Sequence, residues 1–169
     1  MSSYLIHAVR FIALILFQVL IINNIRIGGY VNPFVYVLFI LLLPFNIKPW
    51  VLLMLGFVTG FTIDIFSLTP GLHTGATVLL AYMRPVIIRL TIGPRDPEGT
   101  LNPGLHDLGA RWFFTYSVLL VTLHHFALFL LEVFSFYHFG DIVLRTLYSV
   151  VFTEILIMVL LLLFSKGKK

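Results

Sequence analysis

The sequence predicts an all-α integral membrane protein with six transmembrane helices and both termini cytoplasmic. The chain is 60% hydrophobic and only 11% charged over 169 residues, whereas soluble domains carry about 25% charged residues. Its apolar residues form long runs rather than amphipathic stripes, so lipid, and not a water-soluble core, must cover them. Its basic residues fall mostly on one side of those runs, which predicts the orientation.

Six apolar runs are candidates for crossing a bilayer, since a transmembrane helix needs about 20 residues. They cover approximately residues 4–22, 33–47, 49–66, 72–92, 111–135 and 142–164. The second run is short and contains Pro44, so we expect it to be tilted, broken or only partly spanning. No basic segment precedes the first run and no small-residue cleavage site follows it, so it is expected to stay in the mature protein. The whole of 1–169 is predicted to be a single transmembrane domain.

The lysines and arginines predict the orientation, because cytoplasmic loops carry an excess of them. With both termini inside, nine of the eleven basic residues fall on the cytoplasmic side. These are Arg10, Lys48, Arg84, Arg89, Arg95, Arg111, Lys166, Lys168 and Lys169, against Arg26 and Arg145 outside. This bias agrees with an even number of crossings, which favours a second run that does cross. The polar loop at 93–110 is then cytoplasmic, either as a connector or as a contact for proteins at the inner face.

The sequence contains no pattern typical of catalysis or of cofactor binding. It has no cysteine, which excludes disulfides, thiolate metal sites and cysteine nucleophiles. No Ser–His–acid, P-loop, HExxH or dinucleotide-binding pattern stands in a suitable context. His124 and His125 are adjacent, so on a helix their side chains point about 100° apart and suit a shared metal poorly. We therefore predict that the chain is not an enzyme and needs no cofactor or metal.

One stretch, GFVTGFTIDIFSLTPGLHTG at residues 56–75, gathers small and polar residues within an otherwise apolar sequence. Gly56 and Gly60 are four residues apart, and Gly71 and Gly75 repeat that spacing. Small residues at this spacing let helices pack closely in lipid, where side-chain hydrophobicity supplies little drive for association. The glycines therefore indicate either close packing inside the monomer or a seam with another chain.

Asp64 follows Gly60 by four residues and shares its helix face, near the outer end of the third run. Three roles are open for this carboxylate. It lies at the interface and caps the free N–H groups of the fourth helix, or it contacts a basic residue or a partner, or it relays a proton or ion. His73 lies just beyond it, where the fourth run begins.

Further charged residues lie in or at the edges of the apolar runs, where an unpaired charge is expensive. At about 1.5 Å per residue, Arg84 and Glu154 have similar depths and can pair, with Arg10 as the rival partner of the glutamate. Glu132 and Arg145 lie near the outer edge and can pair likewise. Structural ion pairs are the favoured interpretation, while a transport pathway and the docking of a partner stay open.

The glycine-rich stretch resembles a signature of the MreD family of rod shape-determining proteins. The residues that carry the resemblance are Gly56-Phe57-x-x-Gly60-x-x-x-Asp64 and, after a short turn, Gly71-Leu72-His73. The stretch MRPVIIRLTIGPRDPEG at 83–99 is similar to versions from Bacteroidetes-type bacteria. Chain length and the number of apolar runs also match, although the specific part covers only residues 56–99.

The resemblance implies a non-catalytic subunit of the bacterial cell-elongation complex in the cytoplasmic (inner) membrane. Such a subunit would help organise peripheral wall synthesis and cell shape through helix packing. The implied partners are membrane lipid, an MreC-like protein, MreB, RodA and a class B penicillin-binding protein, with no nucleic acid. The implied fold is similar to that of the substrate-binding subunits of energy-coupling-factor transporters. The candidates for packing or partner contacts are Gly56, Gly60, Asp64, Gly71, His73 and Gly75.

A second interpretation is a small-molecule-binding membrane subunit resembling a vitamin transporter's substrate component. It requires a polar pocket that opens outward, lined by Asp64, His73, Glu132 and Arg145. The same polar residues serve either interpretation, and the resemblance to MreD favours the first.

Overall fold

The chain folds into a helical bundle in a computed structural model, which describes residues 3–25, 30–92, 102–105, 107–134 and 139–165. Six α-helices are α1 Ser3–Leu20, α2 Leu38–Leu41, α3 Pro49–Ser67, α4 Leu72–Ile92, α5 Gly109–Val133 and α6 Phe139–Ser165. Short 3₁₀ turns occupy Ile22–Asn24 and Val35–Val37. The described residues contain no β-strand, so the all-helical prediction is confirmed for them.

Five of these helices are long and apolar enough to cross a membrane: α1 with its 3₁₀ extension, α3, α4, α5 and α6. The 19 residues of α3 extend about 27 Å at 1.5 Å per residue, close to the ~30 Å hydrocarbon core of a bilayer. This set of helices is consistent with a multi-pass membrane protein. The bounds of α5 and α6 lie within three residues of those expected.

The predicted second span, 33–47, is not a transmembrane helix, and the expectation of six such helices is corrected on this point. Its helical part is the 3₁₀ turn Val35–Val37 followed by the four residues of α2. Seven residues extend only about 12 Å, less than half the thickness of the hydrocarbon core. The rest of this segment, up to Pro49 at the first position of α3, is irregular.

This broken segment nevertheless returns from one end of the bundle to the other. The Asn23 side chain, just after α1, donates a hydrogen bond to Ser67 Oγ at the end of α3, 3.2 Å away. The carboxyl ends of α1 and α3 are therefore neighbours, and the chain must travel back before α3 begins. We call the end of the bundle that holds Asn23 and the α3–α4 turn the turn end.

The return path lies in the core of the protein. Every residue from Val35 to Leu41 is at most 4% exposed. Around it, α3 packs on α4, α4 on α5 and α5 on α6. Large apolar side chains of α1, α3 and α6, among them Ile12, Phe61 and Val151, face outward. A bundle with an apolar exterior and an irregular interior segment suits a lipid environment, where irregular backbone is tolerated only when protein surrounds it.

Some predicted features lie outside the described residues. They include most of the 93–110 loop, of which 93–101 and 106 are not described, and the basic residues Arg26, Arg95, Lys166, Lys168 and Lys169.

Candidate functional site

The glycine-rich stretch folds into a tight hairpin of α3 and α4, which we call the motif hairpin (residues 56–75). A Cβ atom added at Gly60 would lie 2.5 Å from Thr74 Cα and 2.6 Å from the carbonyl oxygen of His73. One added at Gly56 would lie 2.9 Å from Ala81 Cβ. All three distances are shorter than contacts of real Cβ atoms, so only glycine permits this approach of the two backbones. The glycines were expected either to pack closely inside the monomer or to form a seam with another chain, and these contacts show close packing inside the monomer.

Asp64 caps the beginning of α4 from the last turns of α3. Its Oδ1 accepts hydrogen bonds from the His73 backbone N–H at 3.0 Å and from Thr69 Oγ1 at 2.9 Å. Its Oδ2 accepts from the Thr74 backbone N–H at 2.9 Å and from Thr74 Oγ1 at 2.5 Å. A carboxylate at a helix N-terminus meets free N–H groups and the positive end of the helix dipole. The capping role, one of the three considered, is therefore the one the geometry shows.

The second glycine pair does not repeat the packing of the first. Gly71 stands in the turn before α4 with φ +85°, and nothing lies within 4 Å of a Cβ added there. Residues with a side chain rarely adopt this backbone conformation, which is the reason for a glycine at this position. Gly75 faces α5, where an added Cβ would lie 3.2 Å from Leu131 Cδ1.

Polar side chains of the surrounding helices bind the backbone of the broken segment near the turn end. Gln18 of α1 accepts a hydrogen bond from the Val35 N–H at 2.7 Å and donates one to the Pro33 carbonyl at 3.0 Å. On α6, Thr153 Oγ1 accepts from the Phe34 N–H at 3.1 Å, and Ser149 Oγ accepts from the Asn32 N–H at 3.0 Å. These bonds replace the helical hydrogen bonds that this segment lacks.

At the opposite end of the broken segment, two arginines and a tyrosine bind its backbone carbonyls. Arg84 Nη2 donates to the Leu43 carbonyl and Nη1 to the Pro44 carbonyl, while Nε donates to Tyr116 Oη at 2.8 Å. Tyr116 Oη in turn donates to the Leu41 carbonyl at 3.1 Å. Arg10 donates to the next carbonyl along, that of Leu42, at 3.3 Å.

The expected pairing of Glu154 with Arg84 or Arg10 is therefore wrong. Both guanidinium groups lie against backbone carbonyls, because the irregular segment offers more acceptors than a helix would. Glu154 Oε2 accepts a hydrogen bond from Ser117 Oγ at 2.8 Å, and its buried Oε1 has no partner among the described residues. Depth along a helix was the basis of the expected pair, and depth alone does not place two side chains on facing surfaces.

Glu132 and Arg145 do form the expected salt bridge. Arg145 Nη2 lies 3.0 Å from Glu132 Oε2, and the guanidinium carbon lies 4.4 Å from the centre of the Phe129 ring. The pair joins α5 to α6. It is partly exposed, so it contributes less than a buried pair would.

A cluster of histidines and a tyrosine lies beneath the turn end. Tyr36 Oη lies 3.0 Å from His73 Nδ1, 2.8 Å from His124 Nε2 and 3.2 Å from Thr77 Oγ1. His125 Nε2 lies 3.1 Å from Thr153 Oγ1. We call Tyr36, His73, Thr77 and His124 the tyrosine cluster. No group of three metal-ligating side chains is present in the part of the chain that the structure describes.

A polar cavity of about 350 Å³ opens at the turn end, above the tyrosine cluster. Its polar lining consists of Asn23, Asn32, Ser67 and His73. Its apolar lining consists of Ile22, Ile25, Val31, Pro33, Phe34 and Phe66. The pocket expected for a small-molecule binder is thus wrong in three of four residues, since only His73 lines this cavity. Asp64 is used as a helix cap, and Glu132 and Arg145 bind each other.

A second depression, which we call the hairpin groove, lies on the outward face of the motif hairpin. It has a volume of about 530 Å³ and is lined mainly by apolar residues: Phe57, Phe61, Asp64, Ile65, Leu68, Thr69, Pro70, Gly71 and Thr74. Phe57 and Phe61 stack with ring centres 5.7 Å apart. Leu68, which ends α3 in the left-handed conformation with φ 55°, is 87% exposed.

No family model, curated protein or solved structure matches the chain. The resemblance to MreD therefore depends on the sequence alone and stays a prediction.

Sequence reasoning did not find the residues that bind the broken segment. Gln18, Tyr116, Ser149 and Thr153 each lie within or beside an apolar run, where a polar side chain needs a partner. The second apolar run was the sequence feature that could have indicated these residues. A run too short for a helix, and interrupted by Pro44, leaves backbone groups free, and single polar residues in the neighbouring runs are suited to bind them.

Proposed function

We propose that the chain is a non-catalytic membrane subunit of the bacterial cell-elongation complex, as the resemblance to MreD implies. One observation carries the proposal. Residues of the resembling motif form a single packed unit, in which Gly60 contacts the backbone of His73 and Asp64 binds the His73 N–H. The packing of this hairpin is enough to explain the motif, without a catalytic role for its residues.

The hairpin groove supports a scaffolding role and suggests where a partner binds. In lipid, a helix from another protein gains most where it can pack closely against a shaped surface. The groove supplies stacked aromatic rings on α3 and an exposed leucine at the α3–α4 turn. We expect the transmembrane segment of an MreC-like protein to pack there, with MreB, RodA and a class B penicillin-binding protein joining the assembly.

The expected location is the cytoplasmic membrane, with the turn end on the periplasmic side. This orientation places Lys48, Arg89 and Arg111 at the cytoplasmic surface, in agreement with the positive-inside rule. The periplasmic side then holds the motif hairpin's turn, at the surface where wall synthesis takes place.

Co-purification in a mild detergent tests the proposal. The tagged wild-type chain, expressed in a rod-shaped bacterium of the Bacteroidetes type, should retain an MreC-like protein. The double substitution Phe57→Ala and Phe61→Ala should reduce its recovery at least fivefold, because it removes both stacked rings from the groove and a well-packed position near the centre of an interface contributes about 1 kcal/mol or more.

Leu147→Ala provides the matched control, since Leu147 is an exposed apolar residue of α6 at 56%, similar to Phe61 at 50%. It should leave recovery and expression unchanged. Depletion of the chain should also convert rods to spheres. The absence of an MreC-like protein from the wild-type eluate, together with normal cell shape on depletion, would overturn the proposal.

A further inference from the structure

The polar cavity at the turn end has a lining that combines hydrogen-bonding side chains with aromatic walls. Asn23, Asn32, Ser67 and His73 supply the polar groups, and Phe34 and Phe66 are the aromatic residues. Among the described residues that line it, none is a lysine, arginine, aspartate or glutamate. Its volume of about 350 Å³ is at the lower end of the range for ligand pockets. These described residues offer no charge that could pair with a charged ligand, so they favour an uncharged one.

Two of the polar residues, Asn23 and Ser67, are held in place by hydrogen bonds to each other and to Gln18 outside the cavity. Gln18 Nε2 donates to Asn23 Oδ1 at 2.9 Å, and Asn23 Nδ2 donates to Ser67 Oγ at 3.2 Å. Each residue keeps one hydrogen free, since an amide nitrogen carries two hydrogens and the Ser67 hydroxyl accepts in this bond. The cavity therefore has fixed donors before any ligand arrives, which lowers the entropic cost of binding.

The tyrosine cluster holds the ring of His73 beside the cavity. Tyr36 Oη lies 3.0 Å from His73 Nδ1 and 3.2 Å from Thr77 Oγ1, and its single hydrogen can be donated to only one of them. His124 Nδ1 is buried without a partner among the described residues, and a buried N–H without an acceptor is rarer than a bare acceptor, so His124 carries its hydrogen on Nε2 and donates to Tyr36. The other ring nitrogen of His73, Nε2, is the donor or the acceptor that this imidazole offers to a ligand.

We propose that this cavity binds an uncharged, oxygen-rich ring of the sugar class. Its fixed donors, from Asn23 and Ser67, suit oxygen acceptors on one ligand, and the imidazole of His73 adds a third polar contact. The Asn32 side-chain amide adds both a donor and an acceptor, as vicinal hydroxyls require. Phe34 and Phe66 provide apolar surface for the C–H face of the ring. This binding site is a further function, and it does not depend on the proposed role in cell elongation.

Calorimetric titration of the full-length protein in lipid nanodiscs tests the proposal, because many mild detergents themselves carry sugar headgroups. The probes are methyl β-glucoside, anionic glucuronate and cationic glucosamine. Methyl β-glucoside should bind saturably with a Kd of about 10 mM or lower, and both charged analogues should bind at least tenfold more weakly.

Two cavity variants and one neighbour complete the design. Asn32→Leu removes the amide at nearly constant volume and should weaken binding of methyl β-glucoside at least tenfold. Ser67→Ala, the milder change, should weaken it at least threefold and serves if Asn32→Leu does not fold. Leu68→Ala, next to Ser67 but outside the cavity lining, should leave binding unchanged.

Three results would overturn the proposal. The first is the absence of saturable binding to protein that unfolds cooperatively. The second is tighter binding of glucuronate or glucosamine than of the neutral glycoside. The third is binding that both Asn32→Leu and Ser67→Ala leave unchanged.

Discussion

Individual small and polar residues in this protein are explained by the backbone that they touch. Gly60 and Gly56 allow α4 to approach α3, and Asp64 binds two N–H groups at the start of α4. In lipid, an unsatisfied backbone group costs several kcal/mol and apolar side chains give helices little reason to associate. Single residues that permit close approach, or that supply a missing hydrogen bond, therefore have large effects.

The substitution Gly60→Ala should destabilise the protein although it adds only a methyl group. The new Cβ would meet backbone atoms of His73 and Thr74 at 2.5–2.6 Å, and backbone cannot move aside as a flexible side chain can. Overpacking of this kind costs about 1–3 kcal/mol. The measurement is the unfolding transition in lipid-detergent micelles as the denaturing detergent fraction increases.

Gly140→Ala is the control for this experiment. Gly140 lies in the first turn of α6, and nothing lies within 4 Å of a Cβ added there. Its alanine variant should unfold at or slightly above the wild-type midpoint, because alanine is the better helix former. Equal midpoints for both variants would contradict the close packing at Gly60.

Asp64→Ala should lower stability by about 1–2 kcal/mol, as the loss of a helix N-cap does. The change leaves the N–H groups of His73 and Thr74 without the acceptors they have now. Asp64→Asn should cost less than Asp64→Ala, because one amide oxygen can still accept. The same unfolding transition measures both, and an alanine variant as stable as the wild type would show that water replaces the cap.

At the scale of elements, the long helices could be predicted from the sequence, whereas for the second run its interruption could be predicted and its structure could not. Runs of about 20 apolar residues have one structure available in lipid, which is why α3 and α4 lie close to their predicted bounds. The segment from Val31 to Lys48 is as apolar as a helix. Its structure depends on Gln18, Arg84 and other distant side chains that supply its hydrogen bonds.

The candidate site also has one part that could be predicted from the sequence and one part that could not. The neighbouring positions of the motif, such as Gly60 and Asp64, could be predicted to share a face because one helix holds them. The cavity lining comes from four separate parts of the chain, around Asn23, Asn32, Ser67 and His73. Spacing along the sequence carries no information about such an assembly, and so only His73 of the four residues expected in the pocket lines this cavity.

Arg84→Met should release the lower part of the broken segment without unfolding the bundle. Methionine preserves much of the apolar stem, but the carbonyls of Leu43 and Pro44 lose their donors. Hydrogen exchange of the backbone amides in 38–47, followed by mass spectrometry, should become at least tenfold faster, which corresponds to about 1.4 kcal/mol of local stability.

Arg89→Met is the matched control, since Arg89 is an exposed residue one and a half turns further along the same helix. Exchange of 38–47 should stay at the wild-type rate in this variant. If Arg84→Met also leaves that rate unchanged, then the arginine does not hold the segment and its burial needs another explanation.

At the scale of the whole molecule, the arrangement of helices gives the two ends of the bundle different chemical roles. The turn end gathers the polar cavity, the motif hairpin and the Glu132–Arg145 pair. Of the described basic residues, Lys48, Arg89 and Arg111 lie near the opposite end, where α3 and α5 begin and α4 ends. The positive-inside rule thus predicts a periplasmic turn end, and α3 offers a direct test because it connects both ends.

Single cysteines at the two ends of α3 should report opposite sides of the membrane. The natural sequence contains no cysteine, so Lys48→Cys and Leu68→Cys each introduce the only thiol. Both positions are exposed, and they lie about 30 Å apart along the helix axis. In intact cells, a membrane-impermeant maleimide should label Leu68→Cys at once and Lys48→Cys only after the membrane is permeabilised. The reverse pattern would place the motif hairpin in the cytoplasm, where it could meet MreB directly but could not meet the periplasmic part of an MreC-like protein.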